Sequence, residues 1–480
     1  MAPENTAPAL SKTQRRVVAV TAVAGMMVTL DSLIVTTALD AIRSALHASV
    51  AELEWTVTAY VLAFAVLLMT AAALGDRFGR RRMFITGLAV FAAASAGCAL
   101  APNVATLIAA RAVQGAGAAL VMPLTLALLG TAIPAARRAA ALGVFSSVAG
   151  LAVPVGPLLG GAVVTGVSWP WIFWINVPVA LVLIPIGRRS LEESFGPRAK
   201  LDLAGVLLAT LAALGLVWAL VRGNTAGWGS TEVVSTFVAG LLLALAFVWW
   251  QQRAPEPMLP LHLFRSRAFS AGNAAIFFHW GSALGALFFM AQFLQTGLNF
   301  SPMRAGFGLM PWGAIAFIVP QVAGAFIRRI GERPFIIAGL GLHAAAMAWI
   351  AVIADPGMAY WRLIAPLVLS GAGVAMSLPA TQSAALSGVE PRDVGKASGA
   401  YSTMRQLGGA LGVAVVVAAF AEYGGYESIQ AFGHGFTAAM IACTVLSLAG
   451  AVSGLAAPGG AWPARSPAVR LEPAREPAHD

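Results

Sequence analysis

Fourteen stretches of roughly 20 residues, each nearly free of charge, recur along this chain, and no water-soluble fold can bury them all. They run approximately over 16–37, 55–74, 83–101, 104–130, 138–165, 170–187, 202–222, 233–251, 269–295, 304–327, 334–353, 362–386, 395–420 and 435–456. Only 10% of residues are charged against 59% hydrophobic, with a mean hydropathy of +0.80, whereas soluble domains carry about 25% charged residues. The expected fold class is therefore an all-α membrane protein. The net charge of +10 does not indicate nucleic-acid binding, because the basic residues are spread over many short loops and form no patch. Cys98 and Cys443 lie inside apolar segments and read as packing residues, with neither a disulfide framework nor a metal site. The first apolar segment is too long for a cleavable signal and contains Asp31, so it reads as a retained span.

The distribution of Lys and Arg orients the spans. Of the 30 in the chain, 24 fall on one side, beginning with Lys12, Arg15 and Arg16 and including Arg77, Arg80, Arg81 and Arg82. Four fall on the other side (Arg43, Arg222, Arg304 and Arg362), and Arg111 and Arg405 stand within spans. This asymmetry predicts an even number of spans with both termini in the cytoplasm.

The chain also repeats itself. Leu107–Pro123 (LIAARAVQGAGAALVMP) matches Leu363–Pro379 (LIAPLVLSGAGVAMSLP) at 8 of 17 positions, with Arg111 replaced by Leu367 and Gln114 by Ser370. The loop LGDRFGRRRMF has a degraded copy, FIRRIGERPFI, 252 positions later. Spans 1–6 and 9–14 thus read as two parallel copies of a six-helix unit, with spans 7 and 8 inserted between them, which is a plan used by rocking secondary transporters. The expected divisions are 1–187 (N-terminal six-helix bundle), 188–268 (the inserted spans with cytoplasmic linkers), 269–456 (C-terminal six-helix bundle) and 457–480, a Pro-, Ala- and Arg-rich tail expected to be disordered.

Several motifs resemble those of one family. Ala72–Arg81 looks like the G-x-L-x-D-R-x-G-R-R loop of the major facilitator superfamily, and Arg111, Gln114 and Gly115 resemble its R-x-x-Q-G motif. Gly150–Gly161 is similar to the G-x-x-x-G-P-x-x-G-G motif of its antiporters, and Leu30-Asp31, Trp171–Pro178 and Arg405–Gly412 resemble the fourteen-span drug:proton antiporters of the EmrB/QacA type. Ala72 stands where the loop motif has Gly, and Pro170 where the family has Arg. No acidic residue occurs in span 10, which argues against export of divalent cations.

The resemblance implies roles that the residue chemistry can support. Asp31, the only carboxylate expected well inside a span, would carry the proton or offset a cationic cargo. Arg111 cannot usefully lose its proton and would sense the charge of a carboxylate, with Gln114 one turn on. Asp76, Arg77, Gly79, Arg80 and Arg81 form a candidate cytoplasmic gate, in which Gly79 permits a compact turn. Gly150, Pro154, Pro157 and Gly161, spaced to share one helix face, together with Gly156 and Gly160, read as a pliable antiporter contact. His279, Trp312, Gln321 and Arg405 are candidate cavity-lining residues, against the plainer readings of packing for His279 and lipid contact for Trp312 and Gln321.

The resulting expectation is a proton-coupled exporter of amphiphilic, drug-like small molecules. It would be monomeric, need no cofactor beyond the proton gradient, and lie in the cytoplasmic membrane, with an accessory envelope protein left open. A dedicated exporter of one self-made metabolite and a transport-inactive sensor are the alternatives. No nucleophile elbow, zinc helix or nucleotide loop is present, so an enzyme is not expected.

Overall fold

The computed structural model of the chain describes residues 11–196, 202–315, 319, 327, 330–387, 389–390 and 393–457. The predicted Gln321, the arginines at 328 and 329, and the tail from 458 onward lie outside them. Every regular element among the described residues is helical, and 13 helical segments are long and apolar enough to cross a membrane. Of the tenth predicted span, 304–327, residues 316–318 and 320–326 lie outside the described residues.

In chain order the helices are α1 (Lys12–Ile34), α2 (Leu39–Leu46), α3 (Val50–Phe78), α4 (Arg80–Ala99), α5 (Val104–Ala132), α6 (Ala135–Gly150), α7 (Ala152–Gly166), α8 (Trp171–Trp174) and α9 (Asn176–Ser190). They continue with α10 (Leu203–Ala226), α11 (Thr231–Arg253), α12 (Arg267–Gln292), α13 (Pro302–Gly308), α14 (Glu332–Ile353), α15 (Trp361–Leu386), α16 (Val394–Tyr423) and α17 (Ile429–Gly454). Short polar caps start many of them. Ser11 with Gln14 and Ser49 with Glu52 form capping boxes, and Asn103 accepts from the Thr106 N–H, satisfying backbone donors that lipid cannot.

Span 5 is broken. Leu151 ends α6 and starts α7, because Pro154 has no N–H to offer the Gly150 carbonyl one turn back.

The packing follows the sequence repeat. α4 lies on α5 and α14 on α15; α1 meets α6, α7 and α9, while α12 meets α16 and α17. Gly79 and Gly331, which correspond in the two loop copies, both take left-handed φ, +104° and +94°, and each donates its N–H to the carbonyl four residues back. The α10–α11 hairpin docks through α10 against α3 and α16. It leaves Leu241, Leu242, Leu245 and Trp249 of α11 exposed, the apolar surface lipid would cover.

Candidate functional site

Asp31, Arg111 and Gln114 come together in the first six spans, completely enclosed: their exposures are 0%, 1% and 0%. Arg111 Nη1 donates to Asp31 Oδ2 at 2.6 Å and to Gln114 Oε1 at 2.8 Å, and Arg111 Nε donates to the Thr56 carbonyl at 3.0 Å. Asp31 Oδ1 accepts from Gln114 Nε2 and from Asn176 Nδ2, both at 2.8 Å. Ser95 Oγ accepts from Gln114 and Asn176 at 3.1 and 3.0 Å and donates to the Phe173 carbonyl at 2.8 Å. The guanidinium lies over the Tyr60 ring, 4.2 Å from its centroid, and Tyr60 Oη donates to the Val28 carbonyl at 3.2 Å.

One carboxylate thus collects donors from α5 and α9 while sitting on α1, and the same network reaches α3 and α4. Every donor is aimed at an ionised carboxylate. Oδ1 already accepts two N–H donors and Oδ2 one, so a proton added at Oδ1 would displace a donor, and one added at the free lone pair of Oδ2 would neutralise the charge that pairs with Arg111.

Asn176 and Ser95 complete this network, but neither was singled out from the sequence. Asn176 lay within the Trp171–Pro178 motif without a role, and a Ser within an apolar span carries no signal of its own. Glu54 is a second addition. The predicted span began just after it, yet its carboxylate is fully buried, with both oxygens lacking a hydrogen-bond partner. Asp31 is therefore not the only carboxylate inside the helical body.

The second copy of the span-4 motif faces a different environment. Leu367 and Ser370, at the positions of Arg111 and Gln114, line a narrow apolar crevice with Ala283, Met290, Met347 and Trp312. The polar contacts here involve no carboxylate: Ser370 Oγ pairs with His343 Nδ1 at 2.8 Å, and Ser282 Oγ with His343 Nε2 at 3.1 Å. Trp312 faces this crevice. His279 is buried, with Nδ1 3.1 Å from Ser377 Oγ. Arg405 stacks on Trp280, its Cζ 5.0 Å from the ring centroid.

The loop at Asp76–Arg81 is held by a segment of its own half of the chain. Asp76 Oδ1 pairs with Arg80 Nη2 at 2.7 Å, and Gly79 makes the turn. Glu193 Oε1 accepts the Arg81 N–H at 2.9 Å, while Glu193 Oε2 lies 3.6 Å from Arg81 Nε and 3.7 Å from Arg82 Nε. Arg80 N donates to the Ser194 carbonyl, and Gly196 N to that of Asp76. Arg77 rests over the Phe78 ring. The chain after span 6 thus braces the loop, a partnership that its spacing in the sequence did not reveal.

The span-5 residues divide between two helix contacts. Gly156 and Gly160 meet Leu33, Ile34 and Thr37 of the first span, whereas Pro154, Pro157 and Gly161 meet Gly313, Gly306 and Pro302. Gly150 terminates α6. The ends of these spans away from the Asp76–Arg81 loop carry further polar links: Gln295 Nε2 to the Thr37 carbonyl at 3.3 Å, Thr296 Oγ1 to Asp40 Oδ2 at 3.2 Å, and Met303 N to Thr165 Oγ1 at 3.1 Å.

Residues 21–413 match the family model of the Major Facilitator Superfamily. The tetracenomycin C resistance and export protein of Streptomyces glaucescens is 36% identical over 398 residues, covering 82% of this chain and 74% of that protein. The multidrug resistance protein Stp of Mycobacterium tuberculosis is 33% identical over 409 residues, covering 85% and 76%. A crystal structure of a POT family transporter superposes with a TM-score of 0.69 at 15% identity, covering 91% of this chain and 94% of that one. The chain is a multi-pass membrane protein and belongs to the major facilitator superfamily of transporters.

Proposed function

We propose that the protein exports amphiphilic, drug-like small molecules from the cytoplasm in exchange for protons. The observation that carries this reading is the enclosed Asp31 carboxylate, held by Arg111, Gln114 and Asn176. Because protonation neutralises the carboxylate that these donors hold, taking up a proton weakens the ties of α1 to α5 and α9. Cargo and proton then compete: each favours a different arrangement of the same helices. Export as the direction is supported by the resistance and export proteins to which the chain is similar.

The gradient of protons is the energy source, and no cofactor is required. A potential of 100 mV supplies ~2.3 kcal/mol per charge, enough for a concentration ratio of order 50 with one proton coupled. Fourteen spans are proposed, with the tenth extending beyond α13, as two parallel six-helix units and the α10–α11 hairpin between them. The sequence repeat and the matching left-handed turns at Gly79 and Gly331 support this plan. Both termini lie in the cytoplasm, by the asymmetry of Lys and Arg, and the protein acts as a monomer. The braced loop at Asp76–Arg81 latches the cytoplasmic side, and the span-5 glycines and prolines seal the outer one.

Everted vesicles energised by respiration test the coupling. Adding a lipophilic resistance substrate is expected to dissipate the proton gradient in vesicles carrying the wild type, and Asp31→Asn is expected to remove that response. Unchanged coupling in Asp31→Asn would sink the assignment of Asp31 as proton carrier.

A further inference from the structure

Arg405 stands within a span with no counter-charge among the described residues. It is on α16, a helix of 30 residues, near mid-length. Gly408, Gly409 and Gly412 on the following turns let α16 settle onto α12: a Cβ on Gly409 would lie 2.7 Å from Leu284 and 2.9 Å from Trp280, and one on Gly408 would run into the Phe277 carbonyl. This close approach puts the guanidinium over the Trp280 ring. Among the described residues Arg405 makes no ion pair or hydrogen bond, and its Nε is buried without a partner. Next to it, buried His279 also has an unpartnered Nε2, and its ring centre is 6.5 Å from that of Trp280.

A guanidinium keeps its charge, and an uncompensated charge within a membrane is costly. Arg111 shows how this chain meets that cost when it can, with a carboxylate, an amide oxygen and a backbone carbonyl. The other unpaired charge-bearing group, Glu54, cannot do the same for Arg405. α3 and α16 run antiparallel, with Met69 against Gly399 and Trp55 beside Leu411 and Ala414. That register sets Glu54 level with about residue 414, roughly 13 Å along the helix from Arg405.

We propose that Arg405, Trp280 and His279 form a recognition subsite for an oxyanion carried on a flat aromatic cargo, a carboxylate or phenolate. The planar fork of the guanidinium suits such an oxyanion, the indole offers a face for the ring, and the His279 nitrogen supplies a further polar contact. This rests on reading the chain as an exporter of drug-like molecules and names the class of cargo that its C-terminal half selects.

The test uses the full-length protein in lipid nanodiscs without a gradient, so loss of proton coupling and absence of the subsite are separate results. The probes are 2-naphthoate and its neutral counterpart 2-naphthamide, titrated calorimetrically. The wild type is expected to bind naphthoate about tenfold more tightly than the amide. Arg405→Gln is expected to erase that difference while leaving amide affinity and thermal stability unchanged, since it orphans no partner. Trp280→Leu is expected to weaken both probes alike. Equal binding of the two probes to the wild type, no binding of either, or a preference that survives in Arg405→Gln would overturn the proposal. Misfolding of Arg405→Gln would also overturn it, because the charge would then be answered within the fold.

Discussion

Arg111 Nη1 and Asp31 Oδ2 are 2.6 Å apart with neither residue more than 1% exposed. Removing one member of such a pair leaves an uncompensated buried charge, which costs about 3–5 kcal/mol, whereas removing both costs far less. Arg111→Ala is therefore expected to lower the thermal stability of the detergent-solubilised protein sharply. Asp31→Asn combined with Arg111→Gln should recover most of the loss. An Arg111→Ala protein as stable as the wild type would contradict the network described above.

Asn176 and Ser95 extend the argument. Asn176 donates to both Asp31 and Ser95, and hydrogen bonds to charged groups contribute about 1.5–3 kcal/mol. Asn176→Ala should destabilise measurably, but less than Arg111→Ala, in the same thermal assay. The reverse order would mean that the amide and not the ion pair organises the cluster.

How far the sequence revealed this site depends on the kind of signal each residue carries. Asp31 and Arg111 stood out because a charge in an apolar span is expensive, and Gln114 followed from helical spacing. Asn176 and Ser95 are small polar groups that spans tolerate singly, so only their convergence in space gives them a role. Glu54 was missed because it lies at the edge of its apolar run, where a carboxylate reads as a helix-start residue. Glu193 was missed for a different reason: its partners are 112 residues earlier in the chain, and no periodicity connects them. The steps of 4, 3 and 4 in span 5 put Gly150, Pro154, Pro157 and Gly161 on one face; Pro154, Pro157 and Gly161 meet the 302–313 segment, whereas Gly150 ends α6. These steps did not show that Gly156 and Gly160 serve a second contact, with the first span.

Gly161 allows a close approach of α7 to α13, since a Cβ there would collide with the Pro302 backbone oxygen. Gly161→Val must push α7 away from α13 and weaken the polar links beside them, including Met303 N to Thr165 Oγ1. The expected result is entry of a membrane-impermeant thiol reagent to a cysteine introduced near Thr37 from the outer side, several-fold faster than in the same cysteine variant with Gly161. Equal labelling rates would show that the contact does not seal that end.

Gly79 has φ +104°, and a Cβ added to it would come 2.7 Å from Glu193 Cδ. Gly79→Ala therefore costs about 1–3 kcal/mol in backbone strain and also displaces the carboxylate that caps Arg81. Glu193→Ala removes the same cap without strain. Both variants should expose the Arg80–Arg82 segment to trypsin added from the cytoplasmic side. Cleavage at the wild-type rate in both would mean that the 191–196 segment does not hold the loop.

Asp202, the cap one residue before the membrane-length segment Leu203–Gly223, offers a pH-dependent test. It caps α10, accepting from the Gly205 N–H at 2.8 Å, from Trp250 Nε1 at 2.7 Å and from Gln251 Nε2 at 2.6 Å. Partial burial, the largest single influence, pushes its carboxyl upward. The combined hydrogen bonds from Trp250, Gly205, Gln251 and Met258 outweigh it and hold the group below its ordinary 3.8. A carboxyl lowered on folding contributes stability above its unfolded value, and that contribution fades as pH falls through the folded value. Asp202→Asn keeps the shape of the cap but loses the charge, and the wild type should exceed it in thermal stability by a constant margin from pH 7 to about 5. Below about pH 4 the two curves should converge, as the wild-type carboxyl takes up its proton. A margin that persists unchanged into strong acid would place the stabilisation in the shape of the cap and not in its charge.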